Sequence, residues 1–186
     1  PLDSVTSQMR YPTKTMGFGV IYGLTPHGLY SQMVQEGLTD WTEDKCQKFI
    51  DEYYKLRPEL GTWQKEVLEQ AREQGYVRDI FGRIRWTPEL LCPIKRYRGA
   101  GERQAINMPV QSSAQGIIKL AMGRLNHTLK TFPGLVRWLL QIHDELLWEI
   151  EDEELNNFLP LVSRDMQSVV KLSVPVLVEA KVGRHW

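Results

Sequence analysis

Residues 141–150 read QIHDELLWEI, and this stretch decides how the chain folds. An apolar run from Val136 to Ile142, interrupted by Arg137 and Gln141, stops at His143-Asp144-Glu145 and resumes with Leu146-Leu147-Trp148. Charge inside an apolar β-type run is costly unless something pairs with it. A hairpin resolves the conflict, with arms near 135–142 and 146–151 and the polar residues at its tip. Two carboxylates on such a tip would present oxygen ligands to a hard cation such as Mg²⁺. An ordinary polar turn accounts for the same residues, so the stretch alone leaves both readings open.

The remaining 176 residues narrow the choice, the whole being 186 residues with 42% hydrophobic and 25% charged side chains. That is the profile of a folded soluble protein, long enough for one large domain or two small ones. No apolar run approaches the ~20 residues of a membrane span, and no signal peptide is recognisable. Cys46 and Cys92 form neither a CxxC pair nor a zinc pattern, which fits free thiols in a reducing, intracellular setting. Formal net charge is zero, but its distribution is uneven. Residues 75–104 hold seven basic and three acidic side chains, and residues 144–154 hold seven acidic and no basic ones. This segregation points to a basic track for phosphates and a separate acidic region for cations, although a solvated charged surface is the bland alternative.

In MRYPTKTMGFGVIYG, residues 9–23, Arg10, Lys14, Phe18 and Tyr22 recur every four residues. At 3.6 residues per turn they share one slowly drifting helical face. The two cations come first, near the end where the helix dipole favours anions. A triphosphate along Arg10 and Lys14 with a base or sugar on Phe18 fits that order. So does a core helix with two basic residues at its rim. Pro12 suits only a first turn, so the helix is expected to start near it. Further helices are expected from Pro26 to about Glu36, from a Thr42 cap to Leu56, and from Pro58 to about Gln74.

Residues 75–86 read as a hairpin turning at Gly82, with its Arg-rich side a candidate phosphate face. Pro88 to Gly101 reads as an extended basic loop. In residues 101–125, Arg103, Asn107 and Gln111 again recur every four residues. These side-chain types reach base edges and sugars, so such a row suits a minor groove, or else solvent. Pro109 is expected to distort or interrupt this helix. A helix over 152–171 and a last strand over 174–182 complete the chain.

Four segments together resemble family A DNA polymerases, the DNA polymerase I type. Arg10, Lys14, Phe18, Tyr22 and Gly23 match the pattern RxxxKxxxFxxxYG, which is similar to motif B, and QIHDEL is similar to motif C. GYVRDIFGRIRWTP and ERQAINMPVQSSA look like the blocks between them, and Val182-Gly183 with Trp186 like the family's C-terminus. The order is collinear along essentially the whole chain.

The resemblance implies an α+β fold, part of a right-hand polymerase. Residues 1–98 would be helical fingers, and 99–186 the C-terminal palm with an antiparallel sheet carrying the catalytic hairpin. It implies template-directed DNA synthesis in replication or repair. A primer 3′-hydroxyl would attack a dNTP with two Mg²⁺ ions assisting. Asp144 would be the metal ligand, with Glu145 beside it and His143 near the primer terminus. Arg10 and Lys14 would hold the triphosphate, Lys14 also protonating the leaving pyrophosphate. Phe18 would pack on the nucleotide, and Tyr22 would stack near the templating position. Arg103, Asn107 and Gln111 would contact the primer–template minor groove. The setting would be a bacterial cytoplasm, the host cytoplasm for a phage, or an organelle, with no membrane contact. The intact set of Arg10, Lys14, Phe18, Tyr22 and Asp144 argues against a nucleic-acid-binding module that has lost activity, and a nuclease built on Asp144 and Glu145 would leave Arg10 and Lys14 without a job.

Departures from the pattern bear on selectivity: Gly17 stands where Asn is frequent, and Ala114-Gln115-Gly116 where Ala-Ala-Asp is usual. A larger one is the family's upstream DYSxxE-type strand, which carries the first metal-binding Asp and has no counterpart in residues 1–8. The chain is therefore expected to be a C-terminal portion that shares its Mg²⁺ ions with an Asp outside it. The N-terminal part of the same polymerase would be its partner, pairing that strand beside 141–148. Alone, the 186-residue chain is expected to fail to extend a primer; robust extension would contradict this. Phe18, rather than Tyr, implies discrimination against dideoxynucleotides. A Phe18→Tyr variant of the polymerase is expected to incorporate them more readily in a chain-termination assay, and unchanged incorporation would count against that role.

Overall fold

Prolines and threonines punctuate the first third of the chain, and helices begin where they stand. The structure is a computed structural model that describes residues 7–38 and 40–184, with side chains from residue 13 onward. Helix α1 spans Ser7–Ile21. Helix α2, Pro26–Gln35, opens with its proline at the N-terminus, and the Thr25 hydroxyl accepts from the Gly28 amide at 3.2 Å. Helix α3, Glu43–Leu56, is capped by Thr42, which accepts from the Lys45 amide at 3.3 Å. Glu43 and Asp44 in its first turn complement the helix dipole. Helix α4, Pro58–Gln74, closes on Gly75, whose φ of 78° is left-handed and suits a residue without Cβ.

The chain divides into two bodies, Pro1–Val110 and Gln111–Trp186. In the first, Met16 and Val20 of α1 pack with Leu29, Met33, Cys46 and Ile50. Truncating a buried leucine such as Leu29 would cost about 2–5 kcal/mol. Gln64 is a buried polar residue beside this core. Its amide nitrogen donates to the carbonyls of Val20 at 3.2 Å and Ile21 at 2.9 Å. Its oxygen accepts from the Tyr54 hydroxyl at 2.7 Å. Of the last carbonyls of α1, which a helix end leaves short of partners, Ile21 is thus met by a side chain of α4, and Val20 by the same side chain together with the Gly23 amide at 3.0 Å. Strands β1 (Tyr76–Arg78) and β2 (Ile84–Trp86) then form an antiparallel hairpin with Gly82 in its turn at φ 81°.

Helix α5 runs unbroken over Lys95–Thr128 and belongs to both bodies. In the second body, Ala121 and Leu125 of α5 pack with Phe158, Val162 and Met166 of α6 (Leu155–Gln167). One face of the hairpin β3 (Val136–Ile142) and β4 (Glu145–Ile150) covers this core, with Trp138 and Trp148 edge-to-face at 5.1 Å. A bulge between Trp138 and Leu140 shifts the pairing. Leu146, opposite Gln141, then reaches the core while Leu140 is left 47% exposed.

Several expectations are corrected. Helix α1 begins at Ser7 rather than near Pro12, so Pro12 costs it an internal hydrogen bond without ending it. Pro88–Gly101 is not an extended loop: a 3₁₀ turn covers Pro88–Leu91 and α5 starts at Lys95. Gly101 permits this, since a Cβ there would lie 2.7 Å from the Glu89 Cβ. Pro109 does not interrupt α5. The last helix is shorter than 152–171: a 3₁₀ turn at Asp152–Glu154 leads into α6, which contains Pro160 and ends at Gln167. Residues 174–182 are not a strand. Their burial alternates, with Val176 and Val178 half-buried, but no ladder partner stands beside them among the described residues. The N-terminal part of α5 packs in the first body, where Ala105 is buried with Ala71, Val77 and Leu90.

Asp165 ties α6 to the end of α5. Its carboxylate accepts from the Thr128 hydroxyl at 2.6 Å and from Arg164 at 3.1 Å. Burial alone would raise this carboxyl, but the Thr128 bond, the Arg164 contacts and the Arg124 charge together hold it below the ordinary value of 3.8. A depressed carboxyl stabilises the fold above its unfolded pKa and loses that contribution as pH falls through its folded pKa. Asp165→Asn is expected to lower the unfolding free energy at pH 7 by about 1.5–3 kcal/mol, the range for hydrogen bonds to a charged group. In urea titrations the gap from the parent should narrow below pH ~4; an equal gap at pH 7 and pH 3 would contradict this.

Candidate active site

Residues one helical turn apart share a face, and α1 presents Lys14 and Phe18, with Tyr22 just past its last residue. The Lys14 ammonium lies 5.8 Å from the centre of the Phe18 ring. Phe18 stacks on Tyr22 with ring centres 6.2 Å apart and planes 19° from parallel. Phe18 is 46% exposed, so its free face is offered outward rather than spent on the core. The opposite side of α1 carries Met16 and Val20, which anchor the helix. Gly19 keeps the C-terminal turn close to the following segment: a Cβ there would meet the Leu24 side chain at 2.8 Å.

A cavity of about 640 Å³ opens on this face. Lys14 and Phe18 line it from α1, Tyr22 from just beyond that helix, and Arg103, Gln104 and Asn107 from α5. The size falls within the range of small-ligand sites, ~300–1,000 Å³. Lys14 and Arg103 enter no ion pair among the described residues, so two cations are available to an anionic ligand. The Asn107 side-chain oxygen is buried without a hydrogen-bond partner. A buried acceptor left in this state costs about 1–3 kcal/mol.

The basic hairpin β1–β2 is a weaker phosphate face than its sequence suggests. Arg83 pairs at 3.2 Å with the carboxylate of Asp79, a buried side chain that also accepts from the amides of Phe81 and Arg83 at 2.9 Å. Arg85 donates to Gln104, and Arg78 to the Tyr76 hydroxyl at 3.2 Å. These guanidinium groups already hold the turn and its connection to α5.

In the second body, His143 and Asp144 form the two-residue turn between β3 and β4, and Glu145 begins β4. His143 has φ 51°, a left-handed conformation that L residues other than Asn, Asp and His seldom adopt. Its carbonyl accepts from the Gln141 side-chain amide at 2.7 Å and from Gln115 of α5 at 3.3 Å. His143, Asp144 and Glu145 are all exposed, and no ion pair among the described residues claims either carboxylate. Among the described residues no group of three His, Cys, Asp or Glu side chains converges. The donor set is therefore oxygen-only and partial. This fits Mg²⁺, which is held by one or two carboxylates with substrate phosphates and water completing its shell.

The structure thus brings Lys14, Phe18, Tyr22, Arg103 and Asn107 to one cavity. It gathers His143, Asp144 and Glu145 at one tip, with Gln111 on the second body's part of α5. Arg10 lies in α1 with its side chain outside the described residues, and Trp186 lies outside them altogether. Gln104 in the cavity and Gln115 at the tip were not foreseen. Gln115 continues the four-residue spacing of Arg103, Asn107 and Gln111 by one step. No helix of the described residues is long and apolar enough to cross a membrane.

Residues 1–186 match the family model described as DNA polymerase family A. The thermostable DNA polymerase I of Thermus aquaticus is 37% identical over 190 residues, covering 100% of this chain and 21% of that protein. The DNA polymerase I of Mycobacterium leprae is 36% identical over 186 residues, covering 100% of this chain and 20% of that protein. The chain therefore spans about a fifth of the length of these relatives. Among solved structures, the polymerase domain of Pol1 from M. smegmatis, in complex with DNA primer-template and dNTP, superposes with a TM-score of 0.85 at 34% identity. That match covers 94% of this chain and 30% of the other.

Proposed function

The chain belongs to DNA polymerase family A, and from that premise we propose that it contributes the fingers and the C-terminal palm of a template-directed DNA polymerase. Residues 1–98 are assigned to the fingers and 99–186 to the palm, with α5 carrying the passage between them. The observation that carries this reading is the cavity where Lys14, Phe18, Tyr22, Arg103 and Asn107 meet. It offers cations for phosphates, a free aromatic face for a base or sugar, and an unsatisfied acceptor.

In this reading the reaction is nucleotidyl transfer from a dNTP to a primer 3′-hydroxyl, with pyrophosphate leaving. Positioning and electrostatics supply most of the catalysis in such phosphoryl chemistry. Lys14 and Arg10 bind the triphosphate, and the Lys14 ammonium gives a proton to the departing pyrophosphate. Phe18 packs against the incoming nucleotide and Tyr22 stacks beside the templating position. Arg103, Asn107 and Gln111 contact the primer–template minor groove, where pair shape is tested more than sequence. His143 sits at the primer terminus. Asp144 is the metal ligand, with Glu145 as a second acidic group. Asp144 and Glu145, with an Asp carried by the N-terminal part of the polymerase, would hold two Mg²⁺ ions, which when bound would supply activation of the attacking oxygen and charge neutralisation at the leaving one.

Asp144→Ala in the polymerase containing this chain tests the assignment. Primer extension is expected to fall by at least about 10²–10³-fold, the scale of losing one preorganised electrostatic contact, while primer–template affinity stays near the parent's. Retained extension would remove Asp144 from the mechanism; loss of DNA affinity in parallel would make the tip a binding element instead.

A further inference from the structure

The His143 carbonyl is part of the rigid peptide plane that joins it to Asp144. Fixing that oxygen fixes the Asp144 amide and the position of its Cα. Two side-chain amides converge on it. Gln141, two residues earlier on β3, donates at 2.7 Å and moves with the hairpin. Gln115 donates at 3.3 Å from α5, so its bond refers the tip to a different element. Together they engage both lone pairs that a carbonyl oxygen offers. The residue so held has φ 51°, and a sparsely populated conformation persists only where its surroundings over-determine it.

We propose that Gln115 is a positioning residue for the catalytic tip: its bond to the His143 carbonyl holds the peptide from which Asp144 presents its carboxylate to a divalent cation. The proposal deepens the polymerase reading and rests on it. Gln115 touches neither substrate nor metal and acts through the tip's backbone. Its place one turn beyond Gln111 puts the link at the end of the α5 row assigned to the minor groove.

The test compares Gln115→Ala and the near-isosteric Gln115→Glu, which accepts but cannot donate, with Asp144→Ala in the polymerase containing this chain. Groups that orient a metal ligand typically contribute 10–100-fold, so kcat for nucleotide addition should fall by about that factor in both Gln115 variants. KM for dNTP and Kd for primer–template should stay near the parent's. Mn²⁺ affinity, titrated directly by electron paramagnetic resonance, should weaken in step. Amide exchange at residues 143–145 should quicken while that of α6 is unchanged. Gln115 is exposed, so melting temperatures should match the parent's and a folding defect would not mimic the result. Parent-like kcat and Mn²⁺ affinity in both Gln115 variants, beside an inactive Asp144→Ala, would overturn the positioning role and leave the polymerase reading standing. Full activity of Asp144→Ala would overturn both.

Discussion

Gln64 is the buried amide on which the cavity's geometry depends. A helix ends with unpaired carbonyls, and at the end of α1 two of them are met by the Gln64 nitrogen. The Tyr54 hydroxyl completes the amide on its other side. Burial is the main influence on that hydroxyl and pushes its pKa up, so it stays protonated and able to donate. Were Gln64 apolar, the Ile21 carbonyl would lose the Gln64 amide and the Tyr54 hydroxyl its 2.7 Å acceptor, at about 1–3 kcal/mol per buried group left unsatisfied, while the Val20 carbonyl would keep the Gly23 amide. With α1 tied at this end and its Met16–Val20 side in the core, the Lys14–Phe18–Tyr22 side has one way to face.

The second body meets a different constraint. Its hairpin must cover an apolar core and also carry two carboxylates, and the bulge after Trp138 separates the tasks. Before the bulge, Val136 and Trp138 pack on the core; beyond it the pairing shifts, Leu146 still reaches the core, and the strands run on to the exposed tip. A two-residue turn then needs positive φ at a central position, and His143 supplies it. Strain at the tip is therefore a product of the turn's length, and the two glutamine amides that hold it follow from the same demand.

Much of this could be read from residue types alone. The Thr42 cap, Pro26 and Pro58 starts, the Gly82 turn and both hairpins declare themselves through local rules that tertiary contacts reinforce. The Arg10–Lys14–Phe18–Tyr22 and Arg103–Asn107 spacings were also visible, because helical periodicity is a one-dimensional signal. The misses have a common cause. Gly99 and Gly101 suggest a loop, yet Gly101 lies inside α5 because Glu89 packs where a side chain would be. Residues 174–182 alternate like a strand, but a strand needs a neighbour to pair with. Gln115 has no special residue type, and only the fold brings it to His143. Each of these depends on a contact between segments distant in sequence or on which neighbour is present.

The central claim is that the 143–145 tip holds a divalent cation during nucleotide addition. The most direct measurement replaces Mg²⁺ by Fe²⁺ in the polymerase bearing this chain, with primer–template and dNTP bound, and generates hydroxyl radicals at the iron. Backbone scission should appear next to Asp144 and fade as Mg²⁺ is added in competition. Scission elsewhere only, or scission near Asp144 that excess Mg²⁺ leaves untouched, would contradict the account.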